Sequence, residues 1–100
     1  MEISIVIPNY NDASLLSRCL RSLPQNQEII LVDNGSIDHS LRVAKKVVPK
    51  IKIIKNAENL GFGATANQGT ILSSNDLVHH LGGATNDQQP HLRAKYTCLN

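Results

Sequence analysis

Three short runs of mostly branched aliphatic residues, ISIVIP at 3–8, EIILVD at 28–33 and IKIIKN at 51–56, are each followed by a stretch of helical character. Runs this short and this continuously apolar are what strands covered on both faces look like, and the intervening helices are what covers them. DASLLSRCLRSL (12–23) puts Leu15, Leu16, Cys19, Leu20 and Leu23 on one stripe, with Asn11 or Asp12 available as N-cap and Pro24 as the stop. SIDHSLRVAKKVV (36–48) turns Leu41, Ala44, Val47 and Val48 inward and ends at Pro49. AENLGFG (57–63) reads as a glycine-bearing loop, and ATANQGTIL (64–72) as a helix whose Ala64, Ala66 and Gly69 permit close packing. DLVHHL (76–81) is a weak fourth strand, and the lysines interrupting IKIIKN place that strand nearer an edge. The order β-α-β-α-β-α-β predicts a mainly parallel sheet in a three-layer α/β/α, Rossmann-like arrangement. Ligands of such sheets sit outside the carboxyl ends of the strands.

Composition narrows the function classes. The chain has 100 residues, enough for one compact domain, and 41% of them are apolar. With a net charge of +2, two Tyr, one Phe and no Trp, it lacks the basic stripe and stacking aromatics of a nucleic-acid module. The densest basic cluster, Lys45, Lys46, Lys50, Lys52 and Lys55, falls around a predicted helix end, where cations suit the helix dipole. No apolar run approaches the ~18 residues that span a bilayer. The two cysteines are far apart, Cys19 on an apolar helix face and Cys98 near the end, so no disulfide framework is expected and a cytoplasmic setting is the default.

The three strand ends share a chemistry. They read PNYND, DNGS and NAENLGFG, and each carries Asn with Asp, Glu or Gly. Any one of them is explained as a turn that enters a helix. Three on one sheet edge would also gather polar groups into one cleft. Tyr10 is the outlier, because a turn has no need of an aromatic, whereas a planar heterocycle can rest against one. Asp33 would complement it as an acceptor for a ring N–H, and Gly35 would allow a sharp turn or a close approach. No Gly-x-Gly-x-x-Gly follows the first strand and no Gly-x-x-x-x-Gly-Lys-Ser/Thr occurs, so dinucleotide and phosphate-loop sites lose their main signature.

VIPNYND, LLSRCLRSL, EIILVDNGSIDHS and ENLGFGATANQGT, in that order and at that spacing, resemble the nucleotide-binding half of the family 2 inverting glycosyltransferases of the GT-A fold. The similarity is greatest to the rhamnosyltransferase-like branch that builds bacterial surface polysaccharides, and it covers residues 3 to 72. The resemblance implies a nucleotide sugar of UDP or dTDP type as donor and a glycan acceptor. It places Tyr10 against the base, with Pro8, Asn9 and Asn11 shaping that loop and Asp33 accepting from the base. Asn34, Gly35 and Ser36 would line the adjoining wall, and Asn59, Gly61 and Asn67 would border the nucleotide and its ribose.

The resemblance also implies Mg²⁺ or Mn²⁺, held by an Asp-x-Asp element after the fourth strand. Residues 82–84 there are Gly82-Gly83-Ala84, and Asp76 and Asp87 stand in the wrong places for it. His79 and His80 point to opposite faces of a strand and do not chelate as a pair. No catalytic base is identified. The expectation is therefore a glycosyltransferase-family chain that is incomplete or inactive in isolation: a nucleotide-binding half-domain over 1–75, followed by a divergent segment over 76–100 that reads like a truncated or frame-disrupted continuation. The alternative is a non-catalytic nucleotide-binding module, or a subunit whose uncovered sheet edge pairs with a second copy or a partner chain.

Overall fold

The structure is a computed structural model that describes residues 3–24, 26–75 and 77–81. Its elements run β1 (Ile3–Asn9), α1 (Ala13–Ser22), β2 (Glu28–Asp33), α2 (Ser40–Val47), β3 (Lys52–Lys55), α3 (Gly61–Leu72) and β4 (Leu77–His80). The four strands form one parallel sheet in the order β3-β2-β1-β4. The chain thus steps outward from β1 to β3 and returns on the other side of β1, so the strand order reverses between β1 and β4. β3 lies at the sheet edge, as its interrupting lysines predict.

Alternation along the strands divides the core. Ile5, Ile7, Ile29 and Leu31 meet Leu16, Cys19, Leu20, Leu23, Ala44 and Val48 on the face covered by α1 and α2. Val6, Ile30 and Val32 form the other face, with Ile54 and Val78 packed beside them. α3 lies on this second face, and Gly69 is where it approaches most closely: a Cβ there would come within 2.3 Å of Val6 Cγ1. Branched aliphatics on both sides of the same strands are what makes the runs continuous rather than alternating. Val47 and Leu41 are half-buried and Ala44 is fully buried, while Lys45 and Lys46 occupy the last turn of α2 beside its carbonyl end.

Three boundaries differ from the expectation. α2 begins at Ser40 and not at Ser36, because residues 36–38 are tied to the loop that leaves β1. α3 begins at Gly61, three residues early, with the Asn59 side chain accepting from Gly61 N at 2.9 Å. Asp12 occupies the N-cap position of α1 without a side-chain capping bond. The cap comes instead from Asp38, whose Oδ2 accepts from Ala13 N at 3.2 Å.

The expectations for Asp76, Gly82-Gly83-Ala84, Asp87 and the rest of the segment after Leu81 lie outside the described residues. What is described, β4, pairs with β1 in register Ile3↔Leu77 to Val6↔His80 and belongs to the same sheet. Among the described residues no helix is long and apolar enough to cross a membrane.

Candidate functional site

Because the sheet is parallel, the segments leaving β1, β2 and β3 emerge from one edge. Register sets Asn9 beside Asp33 and Asp33 beside Lys55. The ladder runs past the strand ends, since Asn34 N donates to Asn9 O and Asn56 N donates to Asp33 O, both at 2.8 Å. From there the side chains knit the loops together.

Asp33 is only 2% exposed. Its Oδ1 accepts from Asn9 Nδ2 at 3.0 Å, and its Oδ2 accepts from Ser36 N at 2.9 Å. Both oxygens are therefore engaged within the protein, which is how a buried carboxylate avoids a large desolvation cost. Ser36 Oγ accepts from Asn9 Nδ2 at 3.2 Å and from Asn11 N at 2.8 Å. Asn11 returns the contact: its Oδ1 accepts from Ile37 N at 2.8 Å and from Asp38 N at 3.3 Å.

Asn11 has a left-handed backbone (φ 48°), which Asn tolerates better than most residues. Tyr10, between Asn9 and Asn11, is 52% exposed on this rim. Pro8 is half-buried in β1, paired with Val32.

The third loop is locked to the second. Asn34, itself buried, accepts at Oδ1 from Asn56 Nδ2 at 3.1 Å and more distantly from Leu60 N at 3.5 Å. Asn56 and Gln68 exchange two amide hydrogen bonds, of 2.9 and 2.8 Å, which ties the end of β3 to α3. Gly35 (φ +88°) lies so near the Ala57–Glu58 backbone that a Cβ would sit 3.0 Å from Ala57 O. The close approach anticipated for Gly35 is thus to another loop of the chain.

Asn59 is exposed beside Gly61 (φ +85°) and caps its N–H. Asn67 is exposed on α3 and joins none of these hydrogen bonds.

Asp38 is the second acid of the rim. The Ser40 hydroxyl, opposed by burial and helped by the Ser40 and Ala13 N–H groups and by His39, holds its carboxyl below the usual range. One side chain therefore serves the starts of both α1 and α2.

Asp38, Asn56 and Gln68 were not singled out from the sequence, since their partners lie 25, 22 and 12 residues away. For Asn56 a signal was present: it stands at the strand end, like Asn9 and Asn34.

At the end of β4, His80 Nε2 and Thr70 Oγ1 share a 2.7 Å hydrogen bond on the α3 side. His79 faces the opposite side, beside Ile5 in register, with a buried Nδ1 lacking a partner. Among the described residues no group of three or more His, Cys, Asp or Glu side chains could hold a metal ion. The described end of β4 does not offer the oxygen ligands that Mg²⁺ or Mn²⁺ prefers.

The parallel α/β fold matches the GT-A fold of known glycosyltransferase structures. A mannosyltransferase from Pyrobaculum calidifontis, solved in complex with GDP-Man and Mn2+, superposes with a TM-score of 0.68 at 17% identity, over 81% of this chain and 27% of that one. S. aureus TarS 1-349 in complex with UDP gives a TM-score of 0.62 at 22% identity, over 82% of this chain and 27% of that one. Residues 4–81 carry the pattern of glycosyl transferase family 2, and the chain belongs to that family.

Among curated relatives, the glycosyltransferase AglE of Haloferax volcanii is 31% identical over 98 residues, which is 89% of this chain and 31% of AglE. The chain spans about a third or less of the length of the curated relatives it matches, from 14% to 34%.

Proposed function

We propose that the rim formed by the ends of β1, β2 and β3 binds the nucleotide of a nucleotide-diphosphate sugar. The sugar transfer that this site serves proceeds with inversion to a glycan acceptor, as in the rhamnosyltransferase-like branch. The observation that carries this is the placement of Tyr10. A half-exposed aromatic stands on a rim where the surrounding Asn and Asp side chains are already hydrogen-bonded to one another. A flat ring beside fixed polar groups suits a planar base better than a flexible chain. Family membership and the likeness to proteins solved with GDP-Man and UDP support the choice of ligand class.

In this assignment Tyr10 flanks the base, with UDP and dTDP as the expected nucleotides. Pro8 and Asn9 shape the Tyr10 loop, and Asn34 and Gly35 line the adjoining wall. Asn59, Gly61 and Asn67 border the ribose side. Asp33 has almost no exposed surface, so it acts through Asn9 and Ser36 and does not itself meet the base. In the transfer, the acceptor hydroxyl displaces the nucleoside diphosphate at the anomeric carbon in one in-line step. The rim contributes by holding the leaving group. No metal ligand is assigned within the described residues.

The test is calorimetric titration of the full chain with UDP, dTDP and GDP, with and without Mn²⁺, repeated on Tyr10→Ala. Saturable binding of UDP or dTDP without metal is expected. Loss of the ring should weaken it by about 1–3 kcal/mol, roughly five- to 150-fold. Binding of neither pyrimidine nucleotide, or equal binding by Tyr10→Ala, would reject the assignment.

A further inference from the structure

Tyr10 is bracketed by a single hydroxyl. Ser36 Oγ accepts from Asn9 Nδ2, on the residue before it, and from Asn11 N, on the residue after it, at 3.2 and 2.8 Å. Two accepted bonds use both lone pairs of the hydroxyl. The Asn11 side chain then reaches the same loop a second time, through Ile37 N and Asp38 N. Asp38 closes the circuit by accepting from Ala13 N, where the Tyr10 loop enters α1. The residues on both sides of Tyr10, Asn9 by its side chain and Asn11 by its main-chain N–H and its side chain, are thus pinned to residues 36–38, while the ring itself stays half exposed.

We propose that Asn11 and Ser36 are positioning residues that set the presentation of the Tyr10 ring before any nucleotide arrives. This rests on the nucleotide assignment made above and adds to it a division of labour within the loop: Tyr10 meets the ligand, whereas Asn11 turns its acceptor inward. The physical gain is preorganisation. A loop already held in its bound shape avoids the ordering cost that a mobile side chain and its backbone would incur on binding. The left-handed backbone of Asn11 fits this role. It turns the chain so that residue 10 faces out while the Asn11 amide faces the neighbouring loop, and it admits Gly at the same position without backbone strain.

Asn11→Gly is therefore an informative substitution, because it keeps the accessible φ and deletes the side-chain half of the clasp, while Ser36→Ala controls for the backbone freedom that glycine adds. In the nucleotide-free chain, nitrogen relaxation of the Tyr10 amide should move from the rigid range toward the flexible one, from about 0.85 to below about 0.7 in order parameter. Asn11→Asp, which restores an acceptor at that position, should recover most of this order. Ser36→Ala provides a second, independent cut of the same clasp and should loosen the same amide.

UDP affinity is then measured in a double-mutant cycle. Asn11→Gly should weaken UDP binding about five- to tenfold when Tyr10 is present, and less than about twofold in the Tyr10→Ala background. A purely structural role, or direct contact between Asn11 and the nucleotide, would produce the same loss in both backgrounds and overturn the positioning claim. An unchanged Tyr10 order parameter in both Asn11→Gly and Ser36→Ala would overturn it as well, whatever the nucleotide does. If the unsubstituted chain binds no UDP, the nucleotide assignment fails, and the relaxation data alone then decide whether the clasp holds the loop.

Discussion

Gly69 and Gly63 sit on the same helix and should respond oppositely to one added methyl group. At Gly69 a Cβ would lie 2.3 and 2.7 Å from the two Val6 methyl carbons, nearer than atoms in contact can be, so either α3 or β1 must shift. At Gly63 nothing lies within 4 Å of the same atom. Alanine is the better helix former by up to about 1 kcal/mol in a helix interior, and a part of that gain should appear at Gly63, in the first turn of α3. At Gly69 overpacking of about 1–3 kcal/mol should exceed it. Thermal or denaturant unfolding of Gly63→Ala and Gly69→Ala checks both signs; a stabilised Gly69→Ala would mean that α3 does not approach β1 as closely as described.

The sequence marks small residues at 64, 66 and 69 but not the face they serve. Ala64 is exposed, whereas Thr65 is fully buried four residues before Gly69, with its hydroxyl donating to Gly61 O at 3.0 Å. A threonine whose polarity is satisfied within its own helix escapes any reading based on hydropathy.

The start of α1 shows why some element boundaries were legible and others not. Strand and helix order follow from short-range periodicity, and the seven expected elements occur in the expected order, with the starts of α2 and α3 displaced. Caps depend on partners from elsewhere in the chain. SIDHS has the composition of a helix start, yet Ser36 to His39 remain loop, because Asn11, Asn9 and Ala13 take up their polar groups. Asp38 is then the cap that Asp12 was expected to be.

Asp38→Ala should cost about 1–2 kcal/mol in unfolding free energy, since it removes the acceptor for Ala13 N and for Ser40 N. Asp12→Ala should fall within about 0.5 kcal/mol of the parent, as expected for a surface side chain that makes no cap. Urea melts of the two variants decide the matter. If Asp12→Ala were the more destabilised, α1 would be capped locally after all.

At the amino-terminal edge of the sheet, opposite the rim, Glu28 binds elements that the sequence gives no reason to connect. Its carboxylate accepts from Ser4 Oγ on β1, from Lys52 Nζ on β3, and from Ser74 N and Oγ on the segment between α3 and β4. Lys52 was legible as an edge lysine. Its ion pair with Glu28 was not, because it requires the β2–β3 register. Burial pushes the Glu28 carboxyl up, but the Lys52 ammonium and the Ser4 and Ser74 donors outweigh it and bring the pKa down to about 2, from 4.5. A carboxyl more acidic in the folded chain than in the unfolded one stabilises the fold above its unfolded value. That stability is lost as pH falls from about 4.5 through about 2.

Water around Lys52, 45% exposed, screens part of the effect, so about 1–2 kcal/mol is expected. Other acids titrate in the same window, and Glu28→Gln separates this one from them. The variant should lose about 2 kcal/mol at pH 7, where it lacks the charge-assisted bonds. Its deficit relative to the parent should shrink as both are acidified from about pH 4.5 to about pH 2, where the carboxylate is protonated first in the unfolded chain and then in the folded one. Unfolding free energies at stepped pH give this difference directly. A deficit that stays constant from pH 7 to pH 2 would mean that Glu28 stabilises the sheet by shape and packing, with its charge playing no part.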